Sequence, residues 1–168
     1  MVNFQAFSRR AGFLAVLSAA MLLAACAKNP ANEPGGLGLG VNANGTAAPG
    51  SSQDFVVNVG DRVFFETDST ELTAQSRATL DRQAQWLNQY SRYTFTIEGH
   101  ADERGTREYN IALGARRAAT VQDYLAQHGI AANRMRTISY GKERPVAVCD
   151  DISCWSQNRR AVTVINNP

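Results

Sequence analysis

The stretch from Tyr93 to Gly129 constrains the fold more than any other. Tyr93 to Glu98 alternates Tyr, Phe and Ile with Thr, Thr and Glu, the period of two that a half-buried strand requires. Next comes a loop punctuated by Gly99 and Gly105 and carrying His100, Asp102, Glu103 and Arg104, after which Thr106 stands where a helix cap would. About Arg107 to His128 reads as a helix with Leu113, Arg117, Val121 and Leu125 on one face, and Gly129 ends it. A strand that feeds a long one-sided helix buries both apolar surfaces by folding the helix back over the strand. Ionisable groups of both signs then converge at one strand-to-helix junction, and that is where function is expected.

A second unit of the same kind precedes it. Arg62 to Glu66 is β-branched and aromatic and reads as the first strand; Phe55 to Val59 reads as a short strand ahead of it. Thr73 caps a helix of about Ala74 to Gln89 whose buried stripe is Leu80, Ala84 and Leu87. Arg136 to Tyr140 and Arg160 to Ile165 supply two more strands. The expected fold class is α+β: a β-α-β-α-β-β sandwich with helices packed on one face of a mixed four-stranded sheet. Right-handed crossovers are expected to bring the ends of the first two strands beside each other. With 168 residues the chain holds one such domain and its appendages.

The N-terminal appendage reads as an address. Residues 1–25 carry Arg9 and Arg10 ahead of an apolar run, Ala11 to Ala25, too short for the ~20 residues that span a bilayer and ending in small side chains, as a secretory signal does. Leu23-Ala24-Ala25-Cys26 resembles a bacterial lipobox, which implies acylation of Cys26, and Ala27 after it implies transfer to the outer membrane. Residues 26–54 are then an acylated N-terminus and a tether, rich in Asn, Gly, Ala, Pro and Ser, leaving 55–168 as the globular domain. As a flexible coil such a tether spans about 30 Å. Losing the signal removes two arginines and leaves fifteen basic against fifteen acidic residues. That neutral balance gives no case for nucleic-acid binding, which needs a basic face.

With Cys26 used for lipid, Cys149 and Cys154 remain as a pair in an exported chain, and a local disulfide is expected. A zinc pair is the alternative, disfavoured because the spacing is not Cys-x-x-Cys and no nearby His completes a site. Catalysis has little support: His100 lacks a partner at metal-ligand spacing, and the chain has no Gly-x-Ser-x-Gly elbow or phosphate-cradling glycine loop. No cofactor is implied. Binding fits better, since Asp102 could accept from an ammonium while Arg117 grips a carboxylate in two parallel bonds. Equally, the two could simply pair with each other.

Several motifs together carry a family resemblance. They are Phe64-Phe65-Glu66-Thr67-Asp68-Ser69, Gly99-His100-Ala101-Asp102-Glu103-Arg104-Gly105-Thr106, Tyr109-Asn110 with Leu113 and Arg116-Arg117-Ala118, Ser139-Tyr140-Gly141-Lys142-Glu143-Arg144-Pro145, and Gln157-Asn158-Arg159-Arg160-Ala161-Val162. Over about Asp54 to Asn166 the chain resembles the OmpA-like domain family, most closely its lipoprotein members of the Tol-Pal system. The resemblance implies non-covalent binding of peptidoglycan through diaminopimelate, with Asp102 on the ammonium and Arg117 on the carboxylate of its free D-centre. Asn110, Leu113, Thr106, Thr67 and Asp68 would supply supporting contacts, and Arg159 and Arg160 would be structural or rim charges. It also implies exchange between the wall and the periplasmic propeller TolB, with a role in envelope constriction during division. A purely protein-binding adaptor is the rival reading. Glu66 and Thr67 depart from the family's usual Asp and aromatic, and the cysteine pair replaces a loop without thiols.

Overall fold

The computed structural model describes residues 47–166. The expected secretory signal, Cys26 and most of the expected tether lie outside them; among the described residues no helix is long and apolar enough to cross a membrane. In chain order the elements are α1 (Ser52–Asp54), β1 (Arg62–Phe64), α2 (Ala74–Gln89), β2 (Thr94–His100), α3 (Arg107–Gln127), β3 (Met135–Gly141), α4 (Ile152–Asn158) and β4 (Arg160–Asn166). The caps are those the residue types favour: Thr73 and Thr106 accept from the amides of Ser76 and Tyr109.

The strands form one mixed sheet in the order β1-β4-β2-β3. β2 and β3 run parallel, and β4 is antiparallel to both β1 and β2. The ends of the first two strands are joined through Arg117, and the strands themselves are not neighbours in the sheet. Val162 pairs with Arg62 on one side and Glu98 on the other, so the last strand fills the slot between them. Helices α2 and α3 supply Leu80, Leu87, Val121 and Leu125 to a core shared with Val63, Phe95, Ile97 and Ala161. These sheet residues alternate along their strands, and the neighbours that face the other way, Phe64, Ile138 and Val164, stay partly exposed.

Two expectations are corrected. Phe55 to Val59 is not a strand: Phe55–Gly60 is a π-helical turn that continues α1. Ser51 caps α1 from its side chain, and Phe55 packs edge-on against Trp86 with ring centroids 4.9 Å apart. That pair buries Phe55 through a helical turn, which an edge strand would not. Nor is the end of the expected tether free: the Tyr93 hydroxyl donates to the Gly50 carbonyl (2.8 Å), and Trp86 Nε1 donates to Asp54 Oδ2 (2.9 Å). Residues 50–54 thus belong to the folded domain.

The α3–β2 crossing positions the site. A Cβ on Gly99 would lie 1.8 Å from the Gly114 carbonyl oxygen, so only glycine lets the helix lie flush on the strand end. Arg117, one turn beyond Gly114, is thereby brought over His100.

Candidate functional site

A pocket of about 240 Å³ opens at this crossing, lined by Thr67, Asp68, Asp102, Arg104, Gly105, Tyr109, Asn110, Leu113 and Arg117. Six of the seven expected contact residues are among them. Thr106 is not; its hydroxyl accepts from the Tyr109 amide and starts α3.

Arg117 is fully buried. Its Nε donates to the Ser69 carbonyl (2.9 Å), one terminal nitrogen to the His100 carbonyl (2.8 Å) and the other to the Glu66 carbonyl (3.1 Å). One side chain on α3 thus ties the end of β2 to the loop after β1. A guanidinium has five N–H donors, so two remain uncommitted while Arg117 lines the pocket. Burial, and then the Arg159 cation, push its pKa down to about 10 against the pull of Asp102, Asp68 and Tyr109. It stays charged at neutral pH.

Asp102 does not pair with Arg117. Its Oδ1 accepts from the Arg104 amide and Nε (3.2 Å each), and its Oδ2 from the Arg104 terminal nitrogen (2.7 Å) and an Arg159 terminal nitrogen (3.3 Å). Burial alone would raise the carboxyl, but the Arg104 side-chain and backbone bonds, with Arg159 behind them, outweigh it and hold Asp102 below the usual carboxylate range. The choice between mutual pairing and a common ligand therefore resolves away from mutual pairing: a fixed negative group and a fixed positive group line one cavity.

The pocket rim is set by short-range bonds. Asn110 Nδ2 donates to the Arg104 carbonyl (2.7 Å), and Lys142 Nζ to the carbonyls of Glu103 (3.0 Å) and Gly105 (2.7 Å). The Tyr109 hydroxyl donates to Asp68, which adopts a left-handed backbone (φ 54°) as Asp tolerates better than most residues. Glu66 contributes only its carbonyl, so the departure from the family's Asp there leaves these bonds unaffected.

His100 is no part of this constellation. Its ring is buried, packs against Tyr140 with centroids 5.6 Å apart and has neither nitrogen hydrogen-bonded. Burial, then Arg160 and Arg144, push its pKa down to about 4. Cys149 and Cys154 form a disulfide with Cα atoms 5.7 Å apart. Zinc would need free thiolates, and the bridge leaves none.

A model of the OmpA family matches residues 64–159, the span that contains every residue of the pocket. The chain is 70% identical over 147 residues to a peptidoglycan-associated lipoprotein of Rhizobium meliloti, covering 86% of this chain and 82% of the relative. The chain belongs to the OmpA family. Among solved structures, the peptidoglycan-associated lipoprotein of Burkholderia pseudomallei superposes with a TM-score of 0.65 at 37% identity, covering 69% of this chain and all of that one. The C-terminal domain of Helicobacter pylori MotB, at 24% identity and a TM-score of 0.60 over 64% of this chain and 85% of that one, shares the OmpA fold.

Three pocket residues of this OmpA-family chain escaped the sequence-based list: Arg104, Gly105 and Tyr109. All three stand in the quoted motifs, and Tyr109 sits beside Asn110, so the motif was the available signal. Arg159, expected as a structural or rim charge, is buried and braces Asp102 from behind, and its Nε donates to the Phe65 carbonyl (3.1 Å). Arg160 is buried too, its terminal nitrogens on the Asn158 and Arg144 carbonyls.

Proposed function

We propose that the pocket binds peptidoglycan non-covalently through the free D-centre of diaminopimelate, Asp102 taking the ammonium and Arg117 the carboxylate. The observation that carries this reading is Arg117 itself: a buried cation with three donors committed to backbone carbonyls, lining a pocket with Asp102. A ligand carboxylate there meets a guanidinium that has already lost its conformational freedom, so little ordering cost remains on binding. Thr67, Asp68, Asn110 and Leu113 shape the walls, and Thr106 holds the helix start. Two of its relatives are themselves peptidoglycan-associated lipoproteins, which supports the same reading. No bond of the ligand is made or broken; the site is a receptor rather than an enzyme.

In the same reading Cys26 is acylated after removal of residues 1–25 and anchors the chain in the outer membrane, with the following residues as a tether and the domain in the periplasm. The protein then links membrane to wall as a Tol-Pal component, exchanging with TolB, and supports envelope integrity and constriction during division. Detergent-solubilised full chain is expected to co-sediment with sacculi and to be released by free meso-diaminopimelate. No co-sedimentation, or co-sedimentation that the amino acid leaves untouched, rejects the receptor. Cys26→Ser is expected to abolish acyl labelling and membrane retention.

A further inference from the structure

The Asp102 carboxylate is saturated in the free pocket. A carboxylate offers about four acceptor positions, and the four bonds from Arg104 and Arg159 account for them. A ligand cation must therefore displace a donor. The Arg159 side chain is 5% exposed and that of Arg104 is 42% exposed, so Arg104 is the one that yields.

A second support for Arg104, besides Asp102 itself, lies outside the pocket. Its guanidinium sits 4.3 Å from the ring centroid of Trp155, whose Nε1 donates to Glu103 Oε1 at 2.7 Å. Trp155 in turn sits on α4, directly after Cys154 of the disulfide. Asn158 closes the same segment, its side chain accepting from the amides of Val146 and Ala147 and donating to the Ala147 carbonyl. The long connection between β3 and β4 is thus a rigid arm that presents one indole to one arginine.

We infer that Trp155 is an affinity-setting residue: by seating Arg104 on Asp102 it weakens the pocket for a cationic ligand. The inference rests on the receptor reading above and extends it. An interaction made in the free state and broken on binding subtracts from ligand affinity. A cation–π contact at an exposed site corresponds to a factor of about two to five. Trp155 is a positioning residue, acting through Arg104.

The test is calorimetric titration of the detergent-solubilised full chain with a soluble muropeptide that carries meso-diaminopimelate. Trp155→Ala is expected to bind about two- to five-fold tighter than wild type, and the gain is expected to vanish in an Arg104→Gln background. Trp155→Phe, which keeps a ring under Arg104 but loses the bond to Glu103, is expected to stay near wild type. A purely supporting role for Trp155 gives weaker binding instead. Weaker or unchanged binding by Trp155→Ala overturns the inference alone, as does an equal gain without Arg104. Should the alanine variant not fold, Trp155→Leu replaces it with the same expected gain and the same overturning results. No binding by wild type overturns the receptor and this inference together.

Discussion

Arg117 and Arg104 line the same pocket but are held there by different means. Arg117 is buried and bonded to three backbone carbonyls, two in the loop after β1 and one at the end of β2, so moving it means breaking the join between them. Arg104 is held by the side chains of Asp102 and Trp155 and is partly open to water. Backbone anchoring makes a fixed recognition point; side-chain anchoring makes a partner that can be exchanged. One wall therefore supplies preorganisation and the other supplies adjustability.

The largest test of this contrast is Arg117→Ala. It removes the side-chain donor from the carbonyls of Glu66, Ser69 and His100, of which Glu66 keeps the Ser69 amide, and opens a buried space. A loss of about 3–5 kcal/mol in urea unfolding is expected, together with loss of sacculus binding. Unchanged stability breaks the idea of a locked wall. Binding loss in this variant is thus read against its stability, and Arg117 is not a neutral probe of recognition.

Asp102→Ala comes next. It strands Arg159 as a buried cation and is expected to cost about 2–4 kcal/mol as well as binding. Arg104→Ala, on the exposed side of the same carboxylate, is expected to change stability by no more than about 1 kcal/mol. Equal costs for the two would erase the difference between the walls.

Acid separates the two regions by pH. The folded pKa of His100 is about 4, below the ordinary imidazole value of ~6.5, so the unfolded chain binds the extra proton and stability falls as pH drops between them. Protonation meets Arg160 and Arg144, and is offset by Glu98, whose Oε2 lies 3.7 Å from Nε2. Tyr140 contributes only its ring face. A loss on the order of 1–3 kcal/mol is expected across that window, and His100→Phe is expected to flatten it. The Asp102 pairing behaves differently: its carboxyl is depressed, so its contribution is intact above the usual carboxylate value of ~3.9 and is lost only as pH falls through the lower folded value. Two acid steps are expected in unfolding measured against pH.

The smallest effect belongs to Tyr109→Phe. Its hydroxyl donates to Asp68 across an exposed part of the rim, where water replaces the lost partner, so urea unfolding is expected to stay close to wild type. A larger drop in muropeptide affinity than in stability would move Asp68 from wall to ligand contact.

The elements with strong periodicity were readable from the chain. Leu113, Arg117, Val121 and Leu125 announce the buried face of α3, and Thr73 and Thr106 mark the helix starts to the residue. Phe55 to Val59 misled because a short β-branched run looks alike in a strand and in a turn docked on Trp86. Helix α4 was missed because its seven residues are too few for a periodic signal, although Asp151, whose side chain accepts from the Ser153 amide, is the kind of cap that could have flagged it. Within the site, the motif named Asp102 and Arg117 but not what each is bonded to. Arg159 lies 57 residues from Asp102 along the chain, and no local pattern links them.

The sequence by itself determined the α+β class, the helix starts at Thr73 and Thr106, and the charged residues at the β2–α3 junction, because periodicity and capping are local properties of the chain. Only the tertiary structure decided that β4 enters between β1 and β2, that Arg117 is a buried tie rather than a free arm, and that Asp102 is shared by Arg104 and Arg159. Those outcomes depend on which distant carbonyls and cations must satisfy one another once water is excluded, a constraint that exists only after the layers have packed.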